Sequence, residues 1–85
     1  MGVFLMRVDK FLKNARIIKR RTVAKEACEQ GKVKINDKVC KPGDEVKIGD
    51  QLNINFGNSE MNIEVVEIKD NVGKSEANDL FKNLS

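Results

Sequence analysis

Ten basic side chains, Arg7, Lys10, Lys13, Arg16, Lys19, Arg20, Arg21, Lys25, Lys32 and Lys34, stand against only Asp9, Glu26 and Glu29 between Arg7 and Lys34. That stretch carries a formal +7, while the remaining six basic and ten acidic residues sum to −4, so the modest overall +3 conceals a strongly dipolar chain. Guanidinium and ammonium groups at this density hold phosphate oxygens, and a chain so divided points to a polyanionic partner, nucleic acid first. If five or six phosphates are neutralised, log affinity falls with log salt at a slope of roughly −4 to −5.

Other chemistries lack their parts. There is no histidine, no Gly-rich phosphate loop and no Ser/His/Asp set, so no enzymatic activity, cofactor or metal is expected. Cys28 and Cys40 lie twelve residues apart with no C-x-x-C pair, which removes the usual zinc sets. They read as reduced thiols of a cytoplasmic protein, Cys28 on a buried helical face. Asp44, Glu45 and Asp50 fall in turns as solvated or capping groups. Asp9, in the first turn of a helix, reads as a local cap or charge partner with no ligand contact. The opening Met1 to Met6 is too short and too quickly basic for a signal peptide, and no membrane span is present.

The basic residues must be positioned by helices. Val8, Phe11, Leu12 and Ala15 follow the i, i+3, i+4, i+7 spacing of one helical face. Ile17 and Ile18 link this helix through Lys19, Arg20 and Arg21 to a second, with Val23, Ala24, Ala27 and Cys28 on one side and Gly31 ending it. Such a pair, joined by a basic turn, brings cations close to the first amides of the second helix. Beyond Gly31 the period becomes two: Val33 and Ile35, the turn Asn36-Asp37, then Lys38 to Cys40 form a tight hairpin. Val46 and Ile48, Leu52 to Phe56, and Met61 to Ile68 continue as short strands, with a one-residue shift at Val65-Val66 that predicts a bulge. Phe11 and Phe56 fit core positions, and no Tyr or Trp offers a stacking platform. Ser75 would cap a terminal helix with Ala77, Leu80, Phe81 and Leu84 on one face, docked on the sheet or serving as an interaction tail.

The runs Arg7-Val8-Asp9-Lys10-Phe11-Leu12, Arg20-Arg21-Thr22-Val23-Ala24, Gly31-Lys32-Val33-Lys34-Ile35-Asn36 and Val46-Lys47-Ile48-Gly49-Asp50, in that order, resemble the S4-type RNA-binding domain, or alpha-L motif, over about Arg7 to Phe56. Many members carry a serine at the position of Arg20 that caps the second helix, so capping here is expected to pass to Thr22. Within this family the chain is similar to the small ribosome-associated quality-control proteins of bacteria, relatives of heat-shock protein fifteen. The resemblance implies binding to obstructed large ribosomal subunits, with contacts to large-subunit rRNA and P-site peptidyl-tRNA, in concert with the quality-control factor RqcH during alanine tailing of stalled chains. It further implies an RNA-binding face of Arg7, Arg16, Lys19, Arg20 and Arg21, with Arg7 and Arg21 foremost. Lys10, Lys13, Lys25, Lys32 and Lys34 then act as auxiliary charges.

The expected fold is α+β, two N-terminal helices packed on a small, mainly antiparallel sheet, with a short C-terminal helix. Residues 1–6 are expected as an N-terminal extension, Met1 to Leu5 being an upstream start or a small apolar cap over the first helix, 7–70 as the RNA-binding domain with its sheet, and 71–85 as a helical tail, in a monomer. Two other functions fit the same residues: a rescue factor like heat-shock protein fifteen, and a general RNA- or DNA-binding regulator.

Overall fold

The computed structural model describes residues 5–69 and 73–84. The first described element is a strand, β1 (Leu5–Arg7), rather than the expected helix, and it runs directly into α1 (Val8–Asn14). Next come α2 (Arg21–Glu29), β2 (Val33–Ile35), β3 (Lys38–Val39), β4 (Glu45–Lys47), β5 (Gln51–Asn55) and β6 (Glu60–Val65). A 3-10 segment, Lys74–Leu80, leads into the last strand, β7 (Phe81–Asn83). The fold class is thus α+β. The apolar cap proposed for the N-terminus falls, in residues 1–4, outside the described residues, as does the loop over 70–72.

Both helices end in the same way. The Gly31 amide donates to the Cys28 carbonyl at 3.1 Å and the Lys32 amide to that of Ala27 at 2.9 Å, a Schellman motif with Gly31 left-handed at φ +75°. At the end of α1 the Arg16 amide donates to Lys13 at 3.0 Å and that of Ile17 to Leu12 at 3.1 Å, but the left-handed position, φ +58°, is held by Arg16. An arginine there pays a steric cost that glycine avoids. The helix starts differ from expectation: α2 begins at Arg21, with Arg20 as its N-cap and no side-chain capping bond, so Thr22 lies inside the first turn. At α1 the Val8 amide finds the Asp44 carbonyl at 2.8 Å.

Five strands form an antiparallel sheet in the order β3-β2-β5-β6-β7, and β1 pairs antiparallel with β4 in a separate ribbon. Asn36 and Asp37 take positive φ of 51° and 70°, which turns the β2–β3 hairpin tightly. Along β5 the alternation is strict: Leu52 and Ile54 are buried, while Gln51 and Asn55 are exposed. The helices cover the buried face, packing Val8, Phe11, Leu12, Ala24 and Cys28 onto Val33, Leu52, Ile54, Ile63 and Val65. Each such large side chain contributes about 1.5–3 kcal/mol when fully buried, the main stabilising term in so small a domain. After β6 the amides of Val66 and Glu67 both donate to the Leu80 carbonyl, at 2.9 and 3.1 Å, two residues against one as in a bulge. Buried Ile68 follows one residue out of the Ile63–Val65 phase.

The C-terminal helix is replaced by the 3-10 segment and β7. Ala77 and Leu80 are buried as a helical stripe requires, but Leu84 is 43% exposed, because the chain extends at Phe81 and adds a strand to β6. Asp50, expected as a solvated or capping turn residue, caps and is also buried: its carboxylate accepts the Lys47 amide at 2.9 Å and the Asn36 side-chain amide at 3.2 Å. Asp44 likewise accepts the Lys41 amide at 2.8 Å. Among the described residues no helix is long and apolar enough to cross a membrane.

Candidate nucleic-acid interface

The crossing of α1 and α2 is built around one carboxylate. Asp9 occupies the first turn of α1 and is only 2% exposed. Its Oδ1 accepts the Lys10 amide at 2.7 Å and lies 3.6 Å from the Arg21 guanidinium, while Oδ2 accepts a hydrogen bond from the Arg7 guanidinium at 3.1 Å. Arg7 comes from β1, just before α1, and Arg21 from the first turn of α2, so three elements meet at this group. Both arginine side chains remain about half exposed, at 49% and 47%. The buried carboxylate restrains one edge of each guanidinium and leaves the rest in water. Lysine would keep the charge and lose the planar fork.

Lys25, one turn beyond Arg21 on α2, borders the same shallow depression together with Thr22. Three cations and one carboxylate leave a net +2 around it. Lys13 stands on the Asp9 flank of α1, one turn on, and is exposed. Arg16, Lys19 and Arg20 are exposed along the inter-helix connection. The other three cations are dispersed. Lys10 lies on another flank of α1, Lys34 on the solvent side of β2 opposite Asn53, and Lys32 beside an apolar groove. The ten basic residues therefore form one gathered group, one connecting run and three outliers.

That groove occupies the opposite flank of α2. At 3.6 residues per turn Val23 and Ala27 lie about 200–240° round from Arg21, whereas Lys25 is within about 40°. With Ile17, Ile18, Ile54 and Phe56 they form an apolar lining, in which Val23 and Phe56 are each 47% exposed. Phe56 reads in the sequence as a core residue; it follows the last residue of β5 and lies on the rim of this groove, half exposed, its amide donating to the Ser59 carbonyl at 2.8 Å. Val23 reads in the sequence as part of the buried face, but Ala24 and Cys28 define that face.

Asp9, which reads in the sequence as a local cap or charge partner, is a charge partner of both Arg7 and Arg21. The link to Arg21 across the helix crossing is what spacing does not show, because the two residues are twelve positions apart. The place of Asp9 on one flank of the first helix, beside an Arg7 two residues earlier, was the available signal. The two cysteines, twelve positions apart in sequence, meet in the fold, with the Cys28 and Cys40 Sγ atoms 4.0 Å apart, both free and buried. Among the described residues no cluster of three or more metal-ligating side chains occurs.

The S4 domain family matches residues 6–52. Over 77 residues the chain is 51% identical to the RQC P-site tRNA stabilizing factor of Halalkalibacterium halodurans, covering 91% of this chain and 88% of that protein. It is 46% identical over 79 residues to the protein of the same name from Bacillus subtilis, covering 93% of this chain and 92% of that one. The trimeric structure of Vibrio cholerae heat shock protein 15 superposes with a TM-score of 0.88 at 35% identity, covering 95% of this chain and 83% of that one.

Proposed function

We propose, from the premise that this chain belongs to the S4 domain family, that it is a non-catalytic RNA-binding factor of ribosome-associated quality control, acting on P-site tRNA. Its target is the obstructed large subunit, where it holds large-subunit rRNA and the peptidyl-tRNA while RqcH directs alanine tailing. The observation that carries the reading is the group of Arg7, Arg21 and Lys25 around buried Asp9. Two guanidiniums already restrained by a carboxylate lose less rotamer freedom when a phosphate arrives, so more of each charge-assisted bond appears as affinity. The exposed run Arg16, Lys19 and Arg20 extends the contact along the backbone, and the remaining lysines contribute to the field that steers association. Nothing in such a mechanism requires a bond to be made or broken.

A second reading, a rescue factor like heat shock protein 15, is favoured by the superposition on the Vibrio cholerae protein. Cosedimentation of the intact protein with ribosomal particles in low and moderate salt tests the RNA target. Enrichment on free large subunits carrying peptidyl-tRNA, lost on changing Arg7 and Arg21 to alanine, is expected. Protein left at the top of the gradient at both salts, or displaced by duplex DNA at equal phosphate concentration, would overturn it. Alanine tailing in a deletion strain separates the two readings: tails that persist point to rescue without tail elongation.

A further inference from the structure

Cys28, on the last turn of α2, and Cys40, at the start of the segment joining β3 to β4, are 2% and 3% exposed and 4.0 Å apart at their sulfurs. Nothing in the proposed RNA contact uses either thiol. Cys40 is fixed by its neighbours, its amide donating to the Val33 carbonyl at 3.1 Å and its thiol to the same oxygen at 3.3 Å. Cys28 is fixed by the helix. We propose that Cys28 and Cys40 form a reversible intramolecular disulfide when the protein meets a small oxidant of the peroxide class, tying α2 covalently to the β3–β4 segment.

The chemistry is balanced in two steps. One thiolate attacks a peroxide oxygen, giving a sulfenic acid and water; the second thiol then displaces the hydroxyl as a second water, and the sulfur–sulfur bond forms. Two electrons pass from the thiols to the peroxide. The Cys28 thiol is held well above the ordinary range by its hydrogen bond to Cys40 and by burial, and that same bond lowers Cys40, so Cys40 is the thiol to ionise first. An open cleft lined by Glu29, Gln30, Gly31 and Val39 reaches both residues, giving a molecule of peroxide's size a way in. The motion needed is short, about 2 Å of sulfur travel from contact to bond length. The new ring spans residues 28–40, which restricts the unfolded chain and raises the unfolding midpoint.

Treating the full-length native protein with hydrogen peroxide at high dilution, then measuring intact mass and free thiols, tests this. The mass should fall by about 2 Da as two hydrogens leave, both thiols should vanish, peptide mapping should join residues 28 and 40, and dithiothreitol should restore the starting mass. The thermal midpoint of the oxidised form should rise. Cys28→Ser and, independently, Cys40→Ala should each abolish the internal link; Cys28→Ser should leave a sulfenic acid on Cys40 that dimedone traps, whereas Cys40→Ala, which removes the thiol that ionises first, should label far less. Thiols that stay titratable in the native protein, a link between two molecules, or dimedone labelling of the unaltered chain in place of the internal link would overturn the proposal.

Discussion

Asp9 reaches across the crossing of two helices to Arg21, its Oδ1 3.6 Å from the guanidinium, although the two residues lie twelve apart in sequence. The same carboxylate holds Arg7 at 3.1 Å. An acidic residue thus sits inside the group of cations proposed to hold RNA. On charge alone it should weaken binding. On geometry it should strengthen it, by orienting both forks.

Replacing Asp9 by asparagine decides between these effects, since asparagine keeps the shape and an acceptor for the Lys10 amide. We expect RNA affinity to fall even though the net charge rises by one. Urea unfolding should show a loss of about 1–2 kcal/mol, less than for a wholly buried ion pair because both guanidiniums are half exposed. Affinity that increases would mean the carboxylate merely opposes the phosphate.

Salt dependence separates charge from fork geometry. Arg7→Ala and Arg21→Ala should each reduce the slope of log affinity against log salt by about one contact, while non-bonded parts of the field stay in place. Arg21→Lys should keep the slope and still lose affinity. Filter-binding titrations with large-subunit rRNA fragments over a series of salt concentrations give both quantities.

Arg16 should show stability and binding moving in opposite directions. At φ +58° a side chain is strained, and Arg16→Gly should raise stability by about 0.5–1 kcal/mol, whereas Arg16→Ala should not. Binding should weaken in both variants, since both lose the cation. Chemical denaturation and RNA titration of the two proteins check the pair of outcomes together.

The C-terminal 3-10 segment should matter as much as the helices. Leu80 is fully buried, and its carbonyl receives the Val66 and Glu67 amides. Leu80→Ala should cost about 2–5 kcal/mol. A denaturation midpoint that stays unchanged would mean the C-terminal segment is detachable.

Local pattern made much of this fold legible. The spacing of Val8, Phe11, Leu12 and Ala15 describes a helix face that is buried throughout, and Asn36-Asp37 marks the hairpin. What escaped depends on distant partners. Leu5 to Arg7 become a strand because Val46 and its neighbours lie alongside, and three residues carry too little alternation to announce it. Ala77, Leu80, Phe81 and Leu84 keep helical spacing, yet the open edge of β6 takes Phe81–Asn83 as a strand, a tertiary preference overriding a local one. At the candidate interface the density of cations was plain, but which of them share a carboxylate was not, because helix crossing angles leave no trace in residue order.

The pairing of β1 with β4 also sets an order of events in the protein's own synthesis. Arg7 lies opposite Glu45, so the strand that aims it has no partner until the ribosome has added 38 further residues. A nascent chain that ends after α2 already holds Asp9, Arg21 and Lys25, but its seventh residue still hangs from an unpaired end. Closing so long a loop costs entropy that the local contacts of the two helices do not repay. The strand that carries Arg7 is therefore fixed late, when β4 docks, after the charge of the two helices is already in the chain.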